Sequence, residues 1–175
     1  LVISRTLVND PRFEILRNLQ IPFITHGRSH SSEETAWIDV DNEKAFFQVT
    51  NHLFDLGHRK IAHIGGPLRF NFSMQRADGW QSAMLKLKVP NPNGYHQISD
   101  LSFKGGKEAM HALLALENPP TAVCCVSDVT AIGSQSSAVG INTLAVGTAA
   151  SASSANSMAI GYQSLANNVN ALAMG

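Results

Sequence analysis

The chain has 175 residues, enough for one ordinary domain or two small ones, and its 44% hydrophobic content predicts a folded protein. Thirteen basic side chains balance thirteen acidic ones, which excludes a protein that binds nucleic acid or an anionic membrane through bulk positive charge. No stretch approaches the roughly 18 consecutive apolar residues that predict a membrane-spanning helix.

The composition changes abruptly along the chain. Every charged side chain lies at or before Asp128, whereas residues 129–175 contain no Asp, Glu, Lys or Arg and are rich in Ala, Ser, Asn and Gly. Such a shift is typical of a domain boundary. We therefore expect one domain over residues 1–130 and a second over residues 131–175.

Short β-rich runs alternate with amphipathic stretches in the first segment. Strands are predicted at residues 1–3, 21–25, 36–39, 60–64 and 121–126. Helices are predicted from Asp10-Pro11 onward, from Asp41-Asn42 to Gly57, over 73–87 and over 106–116. Because parallel strands need long crossovers, this alternation predicts an α/β fold with a mostly parallel sheet.

The two cysteines, Cys124 and Cys125, are adjacent within the last of these apolar runs. This placement favours a buried strand over a disulfide framework or a metal knuckle, and it indicates a reducing compartment.

Residues that directly follow strands are the first candidates for a site, because ligands of such sheets bind beyond the carboxyl ends of the strands. Arg76 is the most interesting of them, since it lies early in a helix after the Gly65-Gly66-Pro67 turn. A guanidinium there can donate several hydrogen bonds to a polar ligand. The alternative is a surface arginine that pairs with Asp78 or another neighbour.

Signatures of catalysis and of metal binding are lacking. The sequence has no Gly-x-Ser-x-Gly elbow, no phosphate-binding loop and no paired Cys-x-x-Cys, so we expect neither an enzyme nor a cofactor. His26 and His30 are four residues apart, but Gly27 between them favours a loop over a metal site. A solvated edge and a helix cap, rather than a catalytic pair, are predicted for the acidic residues Glu33, Glu34, Asp39, Asp41 and Glu43.

The first segment, over about residues 1–133, resembles the effector-binding domain of the LacI/GalR family of bacterial transcription regulators. The resemblance is carried by Trp37 to Asn42, Asn51 to Pro67 with its Leu-Gly-His-Arg and Gly-Gly-Pro motifs, Gln75 to Trp80 and Pro119 to Asp128. It implies a periplasmic-binding-protein type I fold, in which two Rossmann-like lobes enclose a cleft. A small effector, usually a sugar or a nucleobase, would shift the closure of the lobes.

The resemblance also implies site residues. Arg76 matches the effector-binding arginine of the family. Four other predicted ligand-binding positions depart from the family pattern: Ser4 stands where an amide is common, Phe72 where a hydroxyl is frequent, Leu101 where an aromatic ring stacks on the ligand, and Ser127 where an asparagine is common. These departures argue against a sugar pocket of the usual kind, because serine reaches less far than asparagine and leucine offers no ring face.

The family resemblance further implies a dimer in the cytoplasm. Its DNA-binding head, its hinge helix and the first strands of its sheet would lie outside this chain, so that DNA would be a partner only through that head. We also expect a cleft with part of its lining missing to bind poorly.

A seven-residue register runs through the second segment. Tripeptides of the form Ala-Ile/Val/Met-Gly begin at Ala131, Ala138, Ala145, Ala159 and Ala173. Such a period predicts stacked short strands that turn at Gly and Asn, rather than a flexible linker or a helix continuing from Asp128.

Asn156 to Gly161 and Asn170 to Gly175, fourteen residues apart, resemble the head repeats of YadA-type trimeric autotransporter adhesins. The resemblance implies a left-handed parallel β-roll that assembles as a trimer on a bacterial outer surface. Small-molecule sensing for transcription regulation is therefore the first functional hypothesis, and surface attachment is the alternative. A chimeric join at Ala131-Ile132-Gly133 would account for the presence of both resemblances in one chain.

Overall fold

The computed structural model describes residues 1–30, 35–138, 144–146, 150–152, 158–160 and 165–174. The chain divides into two compact units, the first formed by residues 1–98 and 120–124 and the second by residues 99–119 and 125–175. The domain boundary near residue 130 stays a prediction.

Two parallel sheets form the first unit. In the first sheet, β1 (Val2–Ser4), β2 (Ile24–His26) and β3 (Ala36–Ile38) lie side by side in chain order. Helix α1 (Pro11–Asn18) connects β1 to β2 and begins at Asp10, whose side chain accepts a hydrogen bond from the Arg12 backbone. The predicted α/β class with parallel strands is confirmed.

The second sheet has β4 (Ile61–Gly65) at its centre, flanked by β5 (His96–Ile98) and β6 (Ala122–Cys125). Helix α2 (Asn42–Asp55) leads into β4 and α3 (Asn71–Lys86) follows it. The two helices pack so closely that a Cβ added at Gly79 would clash with the backbone carbonyl of Glu43. All five residues of β4 are buried, as expected for a central parallel strand.

A buried histidine pair lies in this second sheet. His63 on β4 is fully buried, is paired with His96 on β5, and contacts the Cys124 carbonyl oxygen through Nδ1 at 2.8 Å. The Nε2 atoms of both histidines are buried and have no hydrogen-bond partner among the described residues. Burial lowers the pKa of His63 to about 4.

A short clasp joins the loop after β1 to the loop before α3. The Val8 amide donates to the Arg69 carbonyl at 2.9 Å, and the Asn71 amide donates to the Thr6 carbonyl at 3.0 Å. Leu7 and Phe70 form an antiparallel bridge between these two bonds. The clasp, residues 6–8 and 69–71, therefore ties segments that belong to different sheets.

In the second unit, α4 (Phe103–Leu114) packs on α5 (Asp128–Gln135). Helix α4 begins three residues before the predicted start, because the Ser102 hydroxyl caps it by accepting from the Gly105 amide at 3.0 Å. Gly106 approaches the Thr130 carbonyl so closely that no Cβ would fit. Among the described residues no helix combines the length and the apolar composition needed to cross a membrane.

In the described part of the chain after α5, six short strands lie in two sheets of three. One sheet contains β7 (Ser136–Ala138), β9 (Ala150–Ala152) and β11 (Leu165–Ala166), and the other contains β8 (Leu144–Val146), β10 (Met158–Ile160) and β12 (Leu172–Met174). In the second of these sheets, parallel pairing places Met158 opposite both Leu144 and Leu172. The fourteen-residue spacing of the repeat is therefore the spacing of paired strands.

The prediction of strands from residue 131 onward is wrong for residues 131–135, which continue α5 through Gly133. A local physical reason lies at the start of the helix. The Ser127 hydroxyl accepts from the Thr130 amide at 3.3 Å, and Thr130 packs against Gly106 of α4. Capping and helix packing outweigh the cost of one helical glycine.

Candidate functional site

A pocket of about 360 Å³ opens beyond the carboxyl ends of β1, β2 and β3, in the first unit. The starts of α2 and α3 contribute the remaining wall. Its lining residues are Ser4, Arg5, Thr6, His26, Gly27, Asp39, Val40, Asn42, Phe72 and Arg76. The pocket therefore lies where the strand-end rule predicts a ligand site in a parallel sheet.

Arg76 on α3 is half-buried and is held in place from two sides. Its Nε donates to the Asn42 side-chain oxygen at 2.8 Å, and its guanidinium carbon lies 5.3 Å from the ring centroid of Phe72 and 5.5 Å from that of Phe46. Burial lowers the pKa of the Arg76 guanidinium, and the nearby Asp39 carboxylate opposes that change. Arg76 is thus half-buried and bonded to Asn42, which differs from the exposed position that the alternative of a surface arginine implies.

Asn42 orients Arg76, whereas the sequence pattern predicts it only as part of a helix cap. The residue is 1% exposed, and its Nδ2 lies 3.3 Å from the Asp39 Oδ1, 3.2 Å from the Val40 carbonyl oxygen and 3.2 Å from the Gln75 Oε1. With its Oδ1 bound by Arg76, the amide of Asn42 is fully engaged. Its position four residues after the end of β3 is the sequence signal from which it could be found.

The prediction that Asp39 belongs to a solvated edge is wrong. Its side chain is 7% exposed, and its Oδ2 accepts from the Arg28 amide at 3.0 Å and from the Arg28 Nε at 3.4 Å. Its Oδ1 accepts from the Val40 amide at 2.8 Å and from Asn42. Asp41, by contrast, caps α2 as predicted, accepting from the Lys44 amide at 3.0 Å. Glu33 and Glu34 lie outside the described residues.

The turn after β2 depends on a glycine. Gly27 has a φ of +106°, and a Cβ there would lie 2.6 Å from the Thr6 hydroxyl oxygen. That hydroxyl donates to the Arg28 carbonyl at 2.7 Å. Only glycine fits this conformation and this close approach, so Gly27 determines the shape of the turn where it lines the pocket.

Three donors lie together at the ends of β1 and β2. Ser4 and His26 are opposite each other as the last pair of the two strands, and Arg5 follows with a φ of 51°. Within the described part of the chain, the side chains of these three residues make no hydrogen bond or ion pair. His26 ends a strand, so its predicted placement in a loop is wrong. The described residues also contain no group of three or more side chains suited to a metal ion.

The structure brings together Ser4, Phe72 and Arg76 of the five predicted ligand-binding residues. Leu101 and Ser127 lie in the second unit, where Leu101 has a φ of 69°. The Ser127 hydroxyl caps α5 and lies 2.9 Å from the Thr130 hydroxyl. The role of all five as effector contacts stays a prediction.

Comparison with protein families matches two parts of the chain. Residues 50–138 match the periplasmic binding protein-like domain. Residues 130–150 and 152–175 match two copies of the YadA head domain repeat.

Curated relatives are transcription regulators. The chain is 38% identical over 127 residues to the HTH-type transcriptional regulator AglR of Rhizobium meliloti, covering 72% of this chain and 36% of that protein. It is 33% identical over 138 residues to the HTH-type transcriptional repressor CytR of Escherichia coli, covering 79% of this chain and 40% of the repressor. The chain thus spans about two fifths of these relatives.

Solved structures give the same result. A transcriptional regulator from Yersinia pestis superposes with a TM-score of 0.71 at 33% identity, covering 77% of this chain and 48% of that one. The complex of the transcriptional regulator CelR with cellobiose has a TM-score of 0.71 at 26% identity, covering 76% of this chain and 41% of CelR.

Proposed function

Because the chain belongs to the periplasmic binding protein-like domain family, we propose that the pocket beside Arg76 senses a small, sugar-like or nucleobase-like effector. The chain contains part of the effector-binding domain of a LacI-family transcription regulator, and it is not an enzyme. One observation carries the proposal. A half-buried arginine, oriented by Asn42 and set between two aromatic rings, faces a cavity at the ends of three parallel strands.

The chemistry of this arrangement suits recognition rather than reaction. The Arg76 guanidinium supplies fixed hydrogen-bond donors, and the Phe72 ring supplies an apolar wall. The regulator CelR was solved with cellobiose, which supports a carbohydrate-sized effector. Binding would be passed to DNA by a head segment of the whole regulator, which would act as a dimer in the cytoplasm.

The test is a thermal-shift screen of the 175-residue chain against cellobiose, D-glucose, D-galactose, adenine and hypoxanthine, with calorimetry on any ligand that stabilises it. A genuine effector should stabilise the wild type and the Arg17→Ala control, whose exposed arginine lies on α1, but not Arg76→Ala. Equal stabilisation of all three proteins would reject the pocket as the sensing site.

A second function is supported for the tail by a separate observation. Parallel strands pair fourteen residues apart in two sheets, and the same segment matches the YadA head domain repeat. We therefore propose a β-roll that self-associates as a trimer, as the head of a surface adhesin would. The exposed side chains of Leu172 and Met174, 63% and 76% accessible, are candidates for the contact between copies.

Sedimentation velocity tests this second proposal. The double variant Leu172→Lys with Met174→Lys should dissociate a trimer, because charges would be buried at the contact. Val169→Lys is the matched control, since Val169 is 64% exposed but lies in the turn before β12. A wild-type chain that stays monomeric at every concentration would contradict the trimer.

The two functions belong to different cellular compartments, which supports the proposal that the chain is chimeric near residues 131–133. Amplification of source DNA across the codons for residues 128–140 tests it. One continuous reading frame would argue against an artificial join.

A further inference from the structure

The polar groups that line the pocket differ in how much of their hydrogen-bonding capacity the protein already uses. The Asp39 carboxylate accepts four contacts, from Arg28 twice, from Val40 and from Asn42. A carboxylate has about four acceptor sites, so Asp39 has little capacity left for a ligand hydroxyl. The Asn42 side-chain oxygen is likewise engaged by Arg76. The charged and amide acceptors of the lining therefore serve the protein itself.

Three other polar side chains of the lining differ from Asp39 and Asn42, because the protein does not use their hydrogen-bonding capacity within the described residues. Ser4, Arg5 and His26 lie on adjacent strand ends that line the pocket, and their side chains have no partner among the described residues. The Arg5 guanidinium can only donate, whereas the Ser4 hydroxyl and the His26 ring can each also accept, so the donor-only groups of the lining are the guanidiniums of Arg5 and Arg76. A carboxylate or a phosphate only accepts. The lining thus matches an acceptor-rich ligand better than a neutral one.

The charged side chains at the pocket also favour an acceptor-rich ligand. Three arginines, Arg5, Arg28 and Arg76, lie at the pocket or bind its carboxylate, whereas Asp39 is the one acidic residue among the described lining residues. Arg12 on α1 adds no net charge, because its Nη2 lies 2.6 Å from the Oδ2 of the Asp10 carboxylate. A net positive pocket attracts anions and raises their local concentration.

The backbone of Arg5 adds a separate observation. Its φ of 51° is uncommon for a residue with a side chain, and it is held by Arg12, whose Nη2 donates to the Ser4 and Arg5 carbonyls at 3.3 Å. Unusual backbone conformations of this kind persist where the surroundings enforce them, often at ligand sites. Here the conformation is enforced at the residue that brings a guanidinium to the pocket.

We infer that the effector carries an anionic group, a carboxylate or a phosphate ester, which Ser4, Arg5 and His26 bind together with Arg76. The inference rests on the proposed effector-sensing function and narrows its ligand class. Charge-assisted hydrogen bonds from arginine would supply both affinity and discrimination against neutral analogues.

Titrations of the full 175-residue chain followed by NMR test the inference, with the His26 ring and the Arg5 Nε–H as the observed signals. D-glucuronate and D-glucose 6-phosphate supply the two anionic groups, and D-glucose supplies the neutral framework. We expect at least one anion to bind about tenfold more tightly than D-glucose at these signals. Which anion binds more tightly distinguishes a carboxylate effector from a phosphorylated one.

Two variants and a control complete the experiment. Arg5→Gln should weaken binding of the anion about tenfold, and so should Arg5→Asn, a residue that tolerates a positive φ. Arg17→Gln removes an arginine on α1 and should leave the affinity unchanged. Binding of D-glucose as tight as that of both anions, or an Arg5→Gln variant that binds like Arg17→Gln, would overturn the anionic class while leaving effector sensing intact. If none of the three probes changes the NMR signals of the His26 ring or the Arg5 Nε–H, the result would contradict both the anionic class and effector sensing at this pocket.

Discussion

His63 and His96 stack across neighbouring strands, with ring centroids 5.2 Å apart and planes inclined by 25°. The Trp80 ring contacts both histidines, and Phe46 packs edge-on against His63. Because His63 is fully buried, an added proton would place a charge among aromatic rings, where the described residues supply no carboxylate partner. The pair is therefore stable in its neutral form.

This burial predicts that the protein loses stability in mild acid. The pKa of His63 is about 4 in the folded state against 6.5 for an ordinary histidine, so the unfolded chain takes up a proton first as the pH falls. The free energy of unfolding should decrease between about pH 6.5 and pH 4, by about 3 kcal/mol for His63 alone. Urea unfolding at a series of pH values measures this slope.

His63→Phe should flatten that slope whatever it does to stability at neutral pH. His111→Gln is the control, because His111 is an exposed histidine on α4. A His63→Phe slope identical to that of the wild type would contradict the assignment.

The contact of Gly79 with the Glu43 carbonyl predicts that Gly79→Ala destabilises the protein. An added methyl would force α2 and α3 apart, costing about 1–3 kcal/mol despite the better helix propensity of alanine. Ser82→Ala on the exposed face of α3 should change stability by less than about 0.5 kcal/mol. Chemical denaturation of both variants provides the comparison, and equal stabilities would refute the packing argument.

The turn at Gly27 should be equally intolerant of a side chain. Gly27→Ala combines backbone strain with a clash against Thr6, and we expect a loss of about 1–3 kcal/mol together with a deformed pocket. Gly57→Ala is a close control, because Gly57 has a φ of +97° but nothing within 4 Å of the added Cβ. If the thermal midpoints of the two variants coincide, the Thr6 contact contributes nothing.

Arg76→Ala should weaken effector binding by about 1.5–3 kcal/mol, because the ligand would lose charge-assisted hydrogen bonds inside the pocket. Arg76→Lys should recover only part of the loss, since an ammonium cannot reproduce the planar contact with Asn42. Calorimetry with an effector identified by screening measures both effects. Full affinity in Arg76→Ala would remove this residue from the site.

Much of the first unit could be predicted from the sequence, because its strands and helices carry strong local signals. The Ile-rich run at β4 and the caps of α1 and α2 are examples. Strand β5 was missed. Two of its three residues, His96 and Gln97, are polar, and its pairing with β4 is a long-range contact that no local pattern reveals.

The residues of the candidate site also divide into those that the sequence predicts and those that depend on contacts formed only in the folded chain. Arg76 could be found from its position after a turn and from the family resemblance. The burial of Asp39 could not, because it depends on Arg28, which lies in the turn after β2 and meets Asp39 only in the folded chain. The start of the tail was mispredicted for a related reason, since Gly133 is helical where α5 packs on α4.

The clasp between residues 6–8 and 69–71 can report on the separation of the two loops that it joins. Its two amides, on Val8 and Asn71, bond to partners on the opposite loop rather than within a helix or a strand. Separation of the two loops would break both bonds in one event and expose both amides to solvent. Val8 and Asn71 should therefore show the same protection once their intrinsic exchange rates are taken into account, and a ligand that holds the two loops together should slow both amides by the same factor.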